Sequence, residues 1–220
     1  PSPPSATLFP YPTLCRSRGD RALDDAYIHF QYARAIVEGH PLRYHAGEPI
    51  SSGATSFAWP LVLAPFYAIG FRGEAILWPA WALSFVALGA LAREVYLLAS
   101  PLAGRAAAAG AAAMTVGFGG LVWCAASGME VVPFAWLVAF ATRRAAEWAE
   151  SPESRTRRNL AWLCGLAAAA PLARPEGAVT SLVLGATVAL FPAEGKPRAR
   201  AAGLACLVGA ALPNLLLLAL

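Results

Sequence analysis

The sequence predicts an all-α, polytopic membrane helical bundle preceded by a long extracytoplasmic loop that carries its own interfacial helices. Three observations carry that prediction. Of the 220 residues, 58% are hydrophobic and only 14% charged, against about 25% charged in soluble domains. The hydrophobic residues gather into runs separated by short polar stretches. The basic residues fall in clusters between those runs, as they do in the cytoplasmic loops of membrane proteins. The net charge of +4 is contained in these clusters, with no nucleic-acid-binding motif beside it. The expected partner is therefore a lipid bilayer and not nucleic acid.

Residues 1–23 are irregular and Pro-rich, with five prolines in the first twelve positions. The stretch LDDAYIHFQYARAIVEGH follows at 23–40. Tyr27, Phe30, Ala33 and Val37 keep helical spacing, Asp24 or Asp25 suits the helix start, and Gly39 with Pro41 stops it. A polar loop leads to AWPLVLAPFYAIG at 58–70, a short apolar segment containing Pro60 and Pro65. Six spans are then expected, over 75–99, 105–126, 130–146, 159–173, 177–192 and 200–220. About 20 helical residues cross a hydrocarbon core, so the shorter ones need neighbours to complete them. The cysteines, Cys15, Cys124, Cys164 and Cys206, lack CxxC spacing and read as small core residues where they lie in apolar runs.

Charge orients these segments. Arg143, Arg144, Arg155, Arg157 and Arg158 mark one cytoplasmic loop, Lys196, Arg198 and Arg200 a second, and Arg93 with Arg105 flanks a third. SGME (127–130) and ARPEG (173–177) then fall on the far side, and so do residues 1–74. That arrangement has segment 58–70 lying at the interface or dipping into it; a true span there is the alternative and breaks the charge rule. The division is an outer loop over 1–74 and a bundle over 75–220. The apolar run at the end and the need to anchor the outer loop lead to the expectation of a longer protein, with a further span before residue 1.

Three polar islands share the outer face: Asp24–Asp25, Glu130 in SGME, and Arg174 with Glu176 in ARPEG. Each has a modest reading. The aspartates cap a helix, Glu130 is a first-turn acid favoured by the helix dipole, and RPEG is a helix start with Pro175 in its first position. His29, His40 and His45 read as ordinary polar residues. Together the islands suggest more, because ionisable groups near membrane depth pair or function. Several carboxylates with an arginine suit removal of a proton from a hydroxyl while positive charge holds an anionic leaving group. One carboxylate would be the base. Its neighbour would raise the base's pKa by like-charge repulsion or share a divalent metal with it.

The run DDAYIHFQYARAIVEGHPLRYHAGEPISSGATSFAWPLVLAPF resembles the first outer loop of GT-C type membrane glycosyltransferases. It is nearest to the bacterial arabinofuranosyltransferase-like, family 39-like group, which shows DDAYIxxRYARNxxxGxGxxxNxGExxxGxTSPLW-like runs. SGME is similar to that group's SGxE, and ARPEG to its RPEG. The motifs come in the group's order and cover residues 23–177. The resemblance implies a multi-pass enzyme of the bacterial cytoplasmic membrane with its active face outside. Such an enzyme takes a sugar from a polyprenyl-phosphate donor, usually with inversion, and passes it to a glycan, lipid or protein acceptor. It implies a catalytic base at Asp24 or Asp25. It also implies donor contacts from Arg34, Glu130, Arg174 and Glu176, and a divalent metal (Mg, Mn or Ca) on Asp25 and Glu130. Gln31 departs from the group's usual arginine, and Phe57 from its usual proline.

A transporter or flippase is the competing class. It shares apolar spans and buried charge, but transporters place ionisable residues mid-membrane on broken helices and carry internal repeats. Neither feature is evident in the sequence. A non-catalytic membrane protein of the same fold is the third reading, in which the aspartates are dispensable.

Overall fold

The computed structural model describes residues 24–51 and 53–191, with Ala201, Ala205 and Gly209. The Pro-rich start and most of the expected span 200–220 lie outside these. Among the described residues the fold is all-helical, without strands.

Helix α1 spans Asp24–Val37 and α2 spans Ala58–Ala68. A 3-10 turn, Gly73–Ile76, leads into α3, Leu77–Gly117. Helices α4 (Gly119–Ala126), α5 (Val131–Glu150), α6 (Arg157–Ala173) and α7 (Gly177–Leu190) complete the described chain. The run Gly73–Gly117 is the one helical stretch among the described residues that is long and apolar enough to cross a membrane. It breaks at Gly104, whose φ of 79° and ψ of 166° are non-helical. Gly104 therefore separates the expected spans 75–99 and 105–126.

Helix α1 ends where Gly39 and Pro41 predict. Gly39 takes φ 84°, its N–H donates to Ile36 O, and the His40 N–H reaches Ala35 O. This is the left-handed stop that glycine permits. The buried face differs from the expected stripe. Ala26, His29, Phe30 and Ala33 face the core, while Val37 is exposed. The helix turns this face onto α2, where Trp59 and Leu63 are buried, and onto Ile76, Ala80 and Met129. Each fully buried side chain such as Leu63 contributes about 1.5–3 kcal/mol.

A second core joins α5, α6 and α7 through Ala141, Trp148, Leu163, Ala167, Leu184 and Val188. Helix α7 approaches α6 through Gly177, Ser181 and Gly185, buried small residues four apart that let two backbones come close. Ser181 Oγ donates to Ala167 O at 2.5 Å.

The order of contacts fixes which helix ends lie together. Trp81 Nε1 donates to Ala126 O at 2.7 Å and Ser84 Oγ to Met129 O at 3.3 Å. Phe57 N–H donates to Leu172 O at 3.0 Å. These bonds gather the starts of α2, α3 and α5 and the end of α6 at one end of the bundle. At the other end Arg143 of α5 meets Glu94 of α3. SGME and RPEG thus share an end, away from the Arg-rich segment 143–158. Arg143 and Arg144 sit inside α5 and not in a loop; the connection begins only after Glu150. Their pairs with Glu147, three and four residues on, extend the helix.

Cys124 is a free thiol, as its apolar setting suggests. Cys164 departs from that reading and is disulfide-bonded. Absence of CxxC spacing says nothing about partners distant in sequence.

Candidate active site

Four segments build the site. Helix α1 supplies His29, the loop before α2 supplies Thr55, the turn between α4 and α5 supplies Glu130, and the segment after α6 supplies Arg174 and Glu176. The α4–α5 turn is rigid. Gly128 takes φ 75°, and a Cβ there would touch Phe30, Ala80 and Leu77. Ser127 Oγ donates to Cys124 O at 2.6 Å and accepts from Met129 N. Trp59 Nε1 donates to Gly128 O at 3.0 Å across 69 residues of sequence. SGME therefore reads as a clamped turn that delivers its last residue.

That residue is Glu130. It occupies the N-cap of α5 but makes no side-chain cap bond, so the first-turn role does not describe its side chain. The residue is 2% exposed. Oε1 accepts from Arg174 Nη1 at 2.9 Å and from Thr55 Oγ1 at 3.3 Å. Oε2 lies 3.1 Å from His29 Nε2, outside hydrogen-bond alignment. His29 Nε2 is also 3.2 Å from Thr55 Oγ1. Threonine has one proton to give. With that proton on Glu130, Thr55 Oγ1 is left to accept from His29 Nε2–H.

His29 is the residue that sequence reasoning missed. Its sequence setting suggests an ordinary polar residue, yet it is 1% exposed and faces Glu130. The available signal was its spacing: it shares an apolar face with Ala26, Phe30 and Ala33. Thr55 carried no signal beyond its place in the loop. Two buried side-chain atoms among the described residues lack a hydrogen-bond partner, His29 Nδ1 and Glu130 Oε2. Both belong to this cluster.

RPEG arrives by close packing. A Cβ at Gly177 would lie 2.1 Å from Ala170 O, so only glycine lets α7 start against the end of α6. Helix α7 begins at Gly177 with Glu176 as N-cap, and Pro175 precedes the helix instead of opening it. Glu176 makes no cap bond. Its carboxylate accepts from Arg174 Nε at 3.3 Å and from Nη2 at 3.2 Å. That hydrogen bond to Arg174 lowers the Glu176 pKa, and the same pairing raises that of Arg174.

The other expected residues divide. Asp24 and Asp25 open α1, and Asp25 is exposed. Asp25 precedes His29 by one turn, roughly 6 Å along the axis and about 40° round it. Asp24 is about 140° from His29 on the same geometry. Arg34, also about 140° from His29, donates to Glu38 at 2.6 Å near the other end of the helix. Gln31, which stands where an arginine is usual, donates instead to Tyr44 O at 2.7 Å and ties α1 to the following loop. Phe57 uses its N–H on Leu172 O, a bond that proline cannot make.

Among the described residues no three His, Cys, Asp or Glu side chains come together as a metal centre. Glu130 already faces Arg174, Thr55 and His29, a setting of donors and positive charge that suits a carboxylate anion and does not suit an added divalent cation. No protein-family model matches the chain, and no curated protein and no solved structure matches it either.

Proposed function

We propose that this chain is the catalytic part of a polytopic membrane glycosyltransferase of GT-C type. In this reading it moves a sugar from a polyprenyl-phosphate donor to an acceptor hydroxyl at the extracytoplasmic face of a bacterial cytoplasmic membrane. One observation carries the reading. DDAYI, SGME and RPEG lie over 140 residues apart in sequence from first to last, yet His29, which directly follows DDAYI, meets Glu130 of SGME, and Glu130 meets Arg174 of RPEG.

The membrane setting has its own support. Leu61, Val62, Trp78, Val86, Leu182 and Val183 are all exposed, and apolar surface of that extent calls for lipid or another apolar partner. The end opposite the cluster carries the arginines of 143–158, the cytoplasmic signature.

The chemistry follows from the charges. Asp25 is the assigned base, because it shares the His29 side of α1 and is exposed to an incoming acceptor. It takes the proton of the acceptor hydroxyl, whose oxygen attacks the anomeric carbon from the face opposite the phosphate. The bond from that carbon to the phosphate oxygen breaks, its electron pair stays on the phosphate, and the configuration inverts. Arg174 holds the phosphate as negative charge grows on it. Glu130, Thr55 and His29 fix the guanidinium in place. A positioned base contributes about 10²–10⁴-fold, and fixed positive charge at the leaving group adds to it.

The test uses the full-length protein in lipid with a panel of polyprenyl-phosphate sugars. Release of polyprenyl phosphate, with an inverted glycosidic product, is expected for one donor. A protein that releases none with any donor and acceptor, while binding and moving an unrelated solute across the bilayer, would instead be a transporter.

A further inference from the structure

Arg174 has five N–H donors arranged as a planar fork. Its Nη1 edge points inward and is fixed to the buried Glu130 at 2.9 Å. Its Nε and Nη2 edge points outward and meets the two oxygens of Glu176 at 3.3 and 3.2 Å. The two carboxylates are held unequally. Glu130 is buried, with 3% of its side chain exposed, whereas 63% of the Glu176 side chain is open to solvent. A bidentate arginine edge is the geometry that recognises a carboxylate or a phosphate with two parallel hydrogen bonds. The residue on it is solvent-exposed and two positions away in sequence, and exposed pairs of this kind hold weakly.

We infer that the outer edge of Arg174 is an anion subsite for the phosphate of a lipid-linked ligand, and that Glu176 fills it in the resting protein as a displaceable internal ligand. The inference rests on the functional reading above and adds to it what Glu176 does. A phosphate entering the subsite takes both outer donors and turns Glu176 out to water, while Glu130 keeps the guanidinium aimed. Glu176 thereby sets specificity by charge. An uncharged lipid cannot displace it, and a ligand with more negative charge displaces it more easily than one with less. The first backbone N–H groups of α7 are already engaged, those of Gly177, Ala178 and Val179 bonding to the carbonyls of Arg174, Pro175 and Glu176. Recognition therefore rests on the guanidinium and not on the helix end.

The test compares wild type, Glu176→Gln and Arg174→Lys in lipid nanodiscs. The probes are a polyprenyl phosphate, the matching polyprenol and inorganic pyrophosphate, with thermal unfolding as the folding control. Glu176→Gln should bind the polyprenyl phosphate about fivefold tighter, as loss of one weak competing ion pair implies, with polyprenol binding unchanged. Arg174→Lys, which keeps charge but loses the fork, should weaken phosphate binding. Equal or weaker binding of polyprenyl phosphate by Glu176→Gln overturns the inference and leaves the glycosyltransferase reading standing. Tighter pyrophosphate binding by Glu176→Gln, with no binding of polyprenyl phosphate by any form, supports the subsite and sinks the lipid-linked donor. Binding of no probe by any form overturns both.

Discussion

The bundle buries a carboxylate near each end, and the two are held differently. Glu94, on α3, is 2% exposed and meets Arg93 and Arg143, with Arg143 and Arg144 both reaching on to Glu147. Arg144 also donates to Asn159 at 2.6 Å, and Arg155 donates to the carbonyls of Trp148 and Ala149. Neither Glu94 oxygen is left without a partner. Glu130 is as deeply buried, but its partner Arg174 reaches on to an exposed Glu176. The end at Glu94 is a closed network that fastens three helices. The end at Glu130 opens toward solvent through Arg174 and Glu176. Burial of charge alone does not mark a functional site; a buried carboxylate whose arginine also reaches an exposed group is the better candidate.

The contrast can be broken by substitution, and the largest effect is expected from Asp25. Asp25→Asn should lower turnover about a thousandfold, within the range of a positioned base, and leave the unfolding temperature unchanged because the residue is exposed. Asp24→Asn, at the first position of α1, should cost far less turnover. Next in size is Glu94→Gln, which leaves Arg143 without its buried partner. It should destabilise the protein by about 3 kcal/mol, read by denaturant unfolding, with turnover per folded molecule kept. If turnover falls as far as with Asp25→Asn, the closed network is functional and the contrast fails.

Gly177→Ala sharpens the comparison from the side of packing. Its Cβ meets a backbone carbonyl, so α7 has to shift, at about 1–3 kcal/mol of stability. Because Arg174 lies on the same segment, phosphate binding should weaken too. The smallest effect is expected from Trp59→Phe. It keeps the apolar bulk and loses one buried bond to Gly128 O, about 1 kcal/mol by denaturant unfolding.

Much of this arrangement was legible in the sequence. Gly39 with Pro41 stops α1, the expected gap between spans 75–99 and 105–126 holds the break, and alternation of charged and apolar segments puts SGME and RPEG at one end. What was not legible depends on contacts between distant residues. His29 looks ordinary until Glu130, 101 positions later in the sequence, is folded against it. Glu94 lies in a plain apolar run, and its burial follows only from Arg143 of α5 arriving beside it. Arg143 and Arg144 resemble loop charges because a basic pair in sequence does not reveal the acids that neutralise it on the helix. Gly177 reads as the last letter of RPEG, and its packing role emerges only with Ala170 O in place.

The most direct test measures polyprenyl phosphate release by full-length protein in lipid, with wild type, Asp25→Asn and Glu94→Gln assayed side by side and corrected for the folded fraction. The expected result is release by wild type and Glu94→Gln and its loss in Asp25→Asn. Release that persists in Asp25→Asn would contradict the account and leave the aspartate pair as the first turn of a helix.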